Sequence, residues 1–504
     1  MGKKENRKES KDKKKDHVVP DAEKYQINSF KDLNSENLKG VLTHNRYAWM
    51  LIGLVIFGFA LRFYNLGFNS IWLDEGTTLG YARMGYIQIW SSVMAEFHPP
   101  LFYWLEHIMM VFGESEFTLR VIPALCGVLS IPVFYLIGRE IVNRDVGIIS
   151  ALLVTVSPFV IYYSQDARSY TMILLFFSIS LLCYMWALKT RNMKWWILFG
   201  LTSAIAFWAH YYTIIGTGVV VLHAVFTQYK YIQNDPAFRK AFAGGIIAFI
   251  VVSIPLLMVL YQRYLALSAS APTYGVLGLS LIIESFKSFS GFNLWITVFF
   301  VVLFAIGVLY LFSKNASYSL LLLGLLVLPI IISVILSAKI TMNPRYLIFV
   351  LPAYYIGIAA CYVPIRNLIN NEKLIYVLMA FLVLINIPFM AGYYTQYSKN
   401  DWRGFSQGLS SMTDSGVVIV VLPGYMTQPL NYYYSNTTDE TIELTASSGE
   451  NLENINKNYG NTTRYYIMTS DIYAANPEGD AVAWLETNSE IITRYMGIYL
   501  LKSK

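Results

Sequence analysis

The chain has 504 residues, of which 55% are hydrophobic and 14% charged, with a formal net charge of +6. Soluble domains run nearer a quarter charged, so this balance excludes a large water-soluble core and points to an integral membrane protein. Aromatics reach 16% and gather at the ends of apolar runs, as expected at lipid–water boundaries.

The basic opening, MGKKENRKESKDKKK, could touch nucleic acid or anionic lipid. Its plainer reading is a disordered cytoplasmic tail over residues 1–46 that helps set orientation, with no nucleic-acid partner. The first apolar run starts too late and is too long for a cleavable signal peptide. It predicts a span at about 47–64, after which Asn65 emerges on the outer face.

Residues 65–116 read as a structured outer loop. Leu79, Ala82, Tyr86, Trp90 and Val93 recur at helical spacing, which predicts an amphipathic helix lying on the membrane. The run Pro99 to Phe112 is about 14 residues long and is interrupted by Glu106-His107. At ~21 Å of helix it is too short to cross, and we expect it to be interfacial or re-entrant.

The distribution of Lys and Arg supports that choice. Without a crossing at 99–112, spans fall near 117–140, 146–163, 169–189, 194–211, 212–229, 240–262, 294–313, 317–338, 346–364 and 373–392, about eleven helices with the first. Inner turns then hold Arg139, Arg144, Lys189, Arg191, Lys194, Lys230, Arg239, Lys240, Lys314, Arg366 and Lys373. Outer turns at 164–168, 210–212, 263–293 and 339–345 are poorer in base. Asp74, Glu75, His98, Glu116, Asp166, Arg168 and Arg345 all come out on that outer face.

After about residue 392 polar residues return, predicting a small α/β domain over 393–504 outside the cytoplasm. Gly416 to Leu422, closed by Pro423-Gly424, reads as a buried strand, and Arg464 to Met468 as a second. Ala481 to Thr487 reads as a short helix, and Thr493 to Leu501 as a last strand. Asn436-Thr-Thr and Asn461-Thr-Thr are glycosylation sequons there, whereas Asn315-Ala-Ser falls on an inner turn. Cys126, Cys183 and Cys361 lie within apolar runs and read as small buried hydrophobes. The chain shows no internal repeat and no metal-ligand spacing of Cys or His.

Each candidate site residue has a structural alternative. Asp74-Glu75 follows the apolar anchor Ile71-Trp72-Leu73, where a carboxylate held near the interface can take a proton from an attacking alcohol. The same pair could simply be acids at a helix N-terminus. His98, before Pro99-Pro100, is either a helix cap or an imidazole facing a phosphate or acceptor. Glu116 and Arg120, four apart, suit a local ion pair. In Ser164-Gln-Asp-Ala-Arg-Ser-Tyr170, Asp166 and Arg168 could pair with each other, cap the next helix or face a site. Arg168 and Arg345 sit at outer helix ends, placed either to fork onto a phosphate or to snorkel.

Taken in order, Leu73-Asp-Glu75, His98-Pro-Pro-Leu-Phe-Tyr-Trp104, Phe112-Gly-Glu-Ser-Glu-Phe-Thr-Leu-Arg120, Gly138-Arg-Glu140, Tyr163-Ser-Gln-Asp-Ala-Arg168, Arg345-Tyr346 and Asp401-Trp-Arg403 resemble the polytopic GT-C glycosyltransferases. The similarity is to the family-39-like, protein-mannosyltransferase-related branch that includes the aminoarabinose transferases. It implies an all-α polytopic membrane fold and a polyprenyl- or dolichyl-phosphate-linked sugar as donor. A hexose or pentose, mannose among them, would be transferred with inversion to an extracytoplasmic hydroxyl on lipid, glycan or protein. By the resemblance Asp74 is the base, with Glu75 and Asp166 shaping the catalytic pocket. Arg168 and Arg345 would hold the lipid phosphate, and His98, Glu116 and Arg120 would complete the donor side. No cofactor follows from it, a divalent cation being the one left open. Phe102-Tyr103 replaces the Gly-Lys that protein mannosyltransferases carry after His-Pro-Pro, and loop 263–293 lacks a large sugar-binding insert; both argue against a protein acceptor. The rival class is a polytopic lipid or polysaccharide transporter or flippase, which would want charges near mid-span and repeated halves.

Overall fold

The computed structural model describes residues 40, 43, 45–95, 98–265, 275–412, 416–434 and 441–504. The basic tail, part of the 263–293 loop and the Asn436 sequon lie outside the described residues. The chain divides into two units, Met1–Gly53 and Leu54–Lys504. Arg46 opens an 18-residue apolar helix that runs to Phe63.

Among the described residues eight helices are long and apolar enough to cross a membrane, and a ninth forms if the bent pair Arg144–Val156 and Pro158–Ser164 counts as one span. The bend of 56° has a local cause. Ser157 precedes Pro158 and is driven to an extended backbone, φ −61° and ψ 117°, while its hydroxyl accepts from the Val160 N–H and restarts the helix. Two further expected spans exist as helices, Met193–Ala209 and Thr213–Asn234. The first is a shorter apolar helix of 17 residues, and the second, at 22 residues, is long enough but less apolar than the eight. The count of eleven positions therefore stands as eleven helical segments, of which at most nine qualify as spans on length and composition. Asn caps recur where helices begin after tight turns: Asn143, Asn192, Asn293, Asn315 and Asn343 each accept from the first helical N–H groups. The helices Leu294–Lys314 and Leu351–Ala360 meet through Gly307 and Gly357, where a Cβ on Gly307 would overlap the Gly357 carbonyl.

The outer loop differs from expectation in one element. The stretch Leu79 to Val93 is two helices, Leu73–Ala82 and Tyr86–Ala95, broken at Arg83–Gly85. Of the five positions that suggested one helix, Leu79, Ala82 and Val93 are buried, Trp90 is partly buried and Tyr86, just after the break, is 50% exposed. The apolar run that follows is a helix at Leu101–Met109 with one 3₁₀ turn to Phe112, short of a bilayer's thickness.

The C-terminal region carries a five-stranded sheet in the order β2-β1-β3-β5-β4. β1 (Val418–Leu422) pairs in parallel with β2 (Ile442–Thr445) and β3 (Arg464–Thr469), while β5 (Ile498–Ser503) runs antiparallel to β3 and to β4 (Ser489–Tyr495). Alternate residues of β1 feed two cores. Ile419 and Val421 pack with Trp402, Phe405 and Leu430 on one face; Val418, Val420 and Leu422 pack with Leu452, Ala481 and Leu485 on the other. The expected single strand at 493–501 is a hairpin, because Gly497 at φ +81° turns the chain between β4 and β5. β2 was not foreseen: Ile442-Glu-Leu-Thr445 alternates apolar and polar, but over four residues only, three of them exposed and the fourth partly so. Cys126, Cys183 and Cys361 are free and buried.

Candidate active site

Asp74 and Glu75 sit in the first turn of Leu73–Ala82, and their environments diverge at once. Glu75 is fully buried. Arg120 grips it with two parallel bonds of 2.7 Å, Nε to Oε1 and Nη2 to Oε2, and the Ala167 N–H adds 2.9 Å. Lys399 Nζ stands 3.1 Å from the same carboxylate. Burial by itself would push this carboxyl up, but the Arg120 and Lys399 charges and these hydrogen bonds outweigh it and hold it down at about 2. Asp74 keeps a side-chain exposure of 20% and pairs with Arg345, Oδ2 to Nη1 at 3.2 Å.

Asp166, in the turn between two span helices, is fully buried. Its Oδ1 accepts from Trp72 Nε1 and from Lys399 Nζ, both at 2.8 Å. Glu75, Asp166, Arg120 and Lys399 thus make a buried cluster of two acids and two cations, a balance that burial demands. Arg345 lies among the rings of Trp72, Tyr170 and Tyr346, 5.6 to 5.8 Å from each centroid. Arg168 reaches the Asp74 carbonyl at 3.5 Å, Tyr103 Oη at 3.3 Å and His98 Nε2 at 3.4 Å, all long contacts. Burial and then the Arg168 and Arg345 charges hold the His98 imidazole down at about 3, so it is neutral near pH 7. Asp74 Oδ2, Asp166 Oδ2, Arg345 Nε and Tyr170 Oη are buried with no hydrogen-bond partner. Two half-shielded groups at the mouth over a closed floor of matched charges make a site with polar capacity left for a ligand.

The structure brings Asp74, Glu75, Asp166, His98, Arg168, Arg120 and Arg345 together, and corrects three contacts. Glu116 and Arg120 do not pair. Arg120 turns inward to Glu75 and to the carbonyls of Leu66, Asn69 and Ser70, which use every N–H it has. Glu116 instead takes Arg403 and the Tyr433 hydroxyl, and so braces the C-terminal region. His98 is no helix cap, since Pro100 occupies that position without a side-chain bond. Asp166 and Arg168 do not pair with each other; Asp166 goes to Lys399. Lys399 was missed altogether. The one available signal was its place at the exit of the last span, two residues before Asp401-Trp-Arg403.

That motif docks the C-terminal region on the outer loop. Asp401 caps its helix at the Gly404 N–H and accepts from Ser70 Oγ at 2.9 Å, while Tyr433 Oη accepts from the Ile71 N–H at 2.8 Å. Among the described residues no group of three His, Cys, Asp or Glu is placed to hold a metal ion. Asp74, Glu75 and Asp166 already face cations, so the acids here do not fit a divalent cation.

Helical spans, a structured loop over residues 65–116 carrying Asp74 and Glu75, and a small sheet-bearing C-terminal region make up a GT-C fold. Residues 97–258 match the family described as dolichyl-phosphate-mannose-protein mannosyltransferase. ArnT from Cupriavidus metallidurans is similar in fold over 90% of this chain and 98% of its own, at 12% identity and TM-score 0.57. Its structure bound to undecaprenyl phosphate gives TM-score 0.51 at 12% identity over 91% and 98%. The Archaeoglobus fulgidus oligosaccharyltransferase tethered to an acceptor peptide gives 0.52 at 12% identity, over 90% of this chain and 73% of that one. A curated protein of Aquifex aeolicus, described as uncharacterized, is 23% identical over 204 residues, 38% of this chain and 40% of its own length.

Proposed function

We propose that the protein is a membrane glycosyltransferase that moves a sugar from a polyprenyl- or dolichyl-phosphate carrier to an extracytoplasmic hydroxyl. Residues 47–392 form the membrane catalytic domain in this reading, with the N-terminus cytoplasmic and residues 393–504 outside. One observation carries it: the Asp74 Oδ2, which has an ion pair with the Arg345 guanidinium but accepts no hydrogen bond, with Arg168 and neutral His98 next to it. A carrier phosphate settling on Arg345 and Arg168 takes over the charge that Asp74 now matches, and leaves the carboxylate facing the acceptor. The acceptor oxygen attacks the anomeric carbon, Asp74 receives its proton, and the sugar–phosphate bond breaks on the opposite face, giving inversion. The lipid phosphate leaves as an anion stabilised by both guanidinium groups. Arg120 serves as scaffold for Glu75, and Glu116 as a brace.

The ligand named for one ArnT structure, undecaprenyl phosphate, supports this donor class. The test is turnover of purified protein with a panel of polyprenyl-phosphate sugars, products read by mass, beside Asp74→Asn. We expect transfer by wild type and a loss of at least about 100-fold in the variant, with lipid-phosphate binding retained. Wild-type rates in Asp74→Asn would overturn the assignment of the base.

A further inference from the structure

Lys399 reaches the buried cluster from outside the elements that supply the acids. It lies between the helix Ile387–Thr395, which ends the last span, and the helix Trp402–Met412, which opens the C-terminal region. Its side chain is 2% exposed, with Nζ 2.8 Å from Asp166 Oδ1, 3.1 Å from Glu75 Oε1 and 3.5 Å from the Gln165 carbonyl. The rings of Trp72 and Tyr162 lie 5.5 and 5.9 Å from it.

The two acids depend on it unequally. Glu75 also has Arg120, whose N–H groups are all taken. Among the described residues Asp166 has no other cation in direct contact, so Lys399 supplies the opposite charge that a fully buried carboxylate calls for. Both acids in turn hold groups of the transfer site. Glu75 fixes the Ala167 N–H, next to Arg168, and Asp166 fixes the Trp72 indole, whose ring faces Arg345.

We propose that Lys399 is a positioning residue for sugar transfer: by bridging Asp166 and Glu75 as the cation between them it sets the placement of Arg168 and Arg345. This rests on the transfer reading above. Other titratable groups facing the cluster are Glu106 toward Glu75, Tyr162 and Tyr393 toward both acids, Tyr163 toward Asp166, Arg345 toward Tyr162, and Arg120, which also feels Asp166 but has every N–H committed elsewhere. None of them can replace the ammonium: the acid and the phenols carry no positive charge, and Arg345 is engaged by Asp74. Without Lys399 one carboxyl takes up a proton, and a protonated Asp166 becomes a donor that no longer orders Trp72 in the same way.

The test compares Lys399→Met, the milder Lys399→Gln and the charge-preserving Lys399→Arg in the full-length purified protein. Removing the cation raises the proton affinity of the buried acid, so activity that needs the ionised form is lost as pH falls through the raised value. We expect the acidic limb of the rate profile to move up by about one unit or more in Met and Gln. The rate near pH 7 should fall about tenfold or more and recover as pH rises, with Arg close to wild type. Infrared difference spectra, variant minus wild type at pH 7, should gain a protonated-carboxyl band that disappears when Asp166→Asn is added. A loss that does not vary with pH and brings no new band, or misfolding of both neutral variants, would make Lys399 purely structural and overturn the proposal. So would an unchanged profile. If wild type turns over no lipid-phosphate sugar, the transfer reading fails, while the infrared band still decides the charge role.

Discussion

Neighbouring acids part company here because of what reaches them. Glu75 is held down at about 2 by Arg120 and Lys399 against its burial, whereas Glu106, also fully buried, has both carboxylate oxygens without a hydrogen-bond partner. Burial first, then the charge of Glu75, hold Glu106 well above the ordinary carboxyl range, so the fold favours its protonated form. A raised folded-state value gives stability that is complete below the unfolded value of about 4.3 and is lost as pH rises. Glu106→Gln mimics the protonated acid and removes that loss. Its melting temperature should match wild type near pH 4 and exceed it by roughly 2 °C or more at pH 8, measured by scanning fluorimetry. A variant less stable at pH 8 would show that Glu106 is charged in the fold. The pairing Asp74-Glu75 was legible from sequence, but its division of labour was not, since the deciding cation lies 233 residues from Asp166. The four-residue spacing of Glu116 and Arg120 misled for a similar reason. Three loop carbonyls and Glu75 outcompete the local partner.

At the scale of elements, periodicity located the outer-loop helices but not their break. The apolar positions keep a helical phase across Arg83–Gly85, so a pattern count could not see the interruption. The C-terminal helix Thr427–Tyr433 lies against Leu73–Ala82, with Gly76 so near Gln428 and Pro429 that a Cβ there would meet them at 3.3 Å. Glu116 ties this seam together through Arg403 and Tyr433. Glu116→Ala leaves both without their partner, at a cost of about 1–3 kcal/mol. Amide exchange over Thr427–Tyr433 should then quicken by roughly 10- to 100-fold in mass-spectrometric readout. Unchanged exchange would mean that packing alone seats the helix.

For the whole molecule, hydropathy placed the eleven long segments of the membrane region, because that signal needs only local composition, but not the helix Ser280–Phe289, which lies in the stretch read as the 263–293 loop. The sheet was legible where both faces of a strand are buried, as in β1 with all five residues buried. It was not legible at β2, whose alternation lasts only four residues, or at β4–β5, where a glycine turn interrupts one apparent strand. The central claim is that the acids, the phosphate-binding cations and the C-terminal sheet share the outer side of the membrane. Cysteine labelling tests it most directly, in a background where Cys126, Cys183 and Cys361, all buried, are replaced. With a membrane-impermeant maleimide on intact cells, Tyr473→Cys, at a side chain 60% exposed, should label. Lys189→Cys, at one 64% exposed, should label only after permeabilisation. Labelling of Lys189→Cys in intact cells with Tyr473→Cys protected would put the site in the cytoplasm and contradict the account.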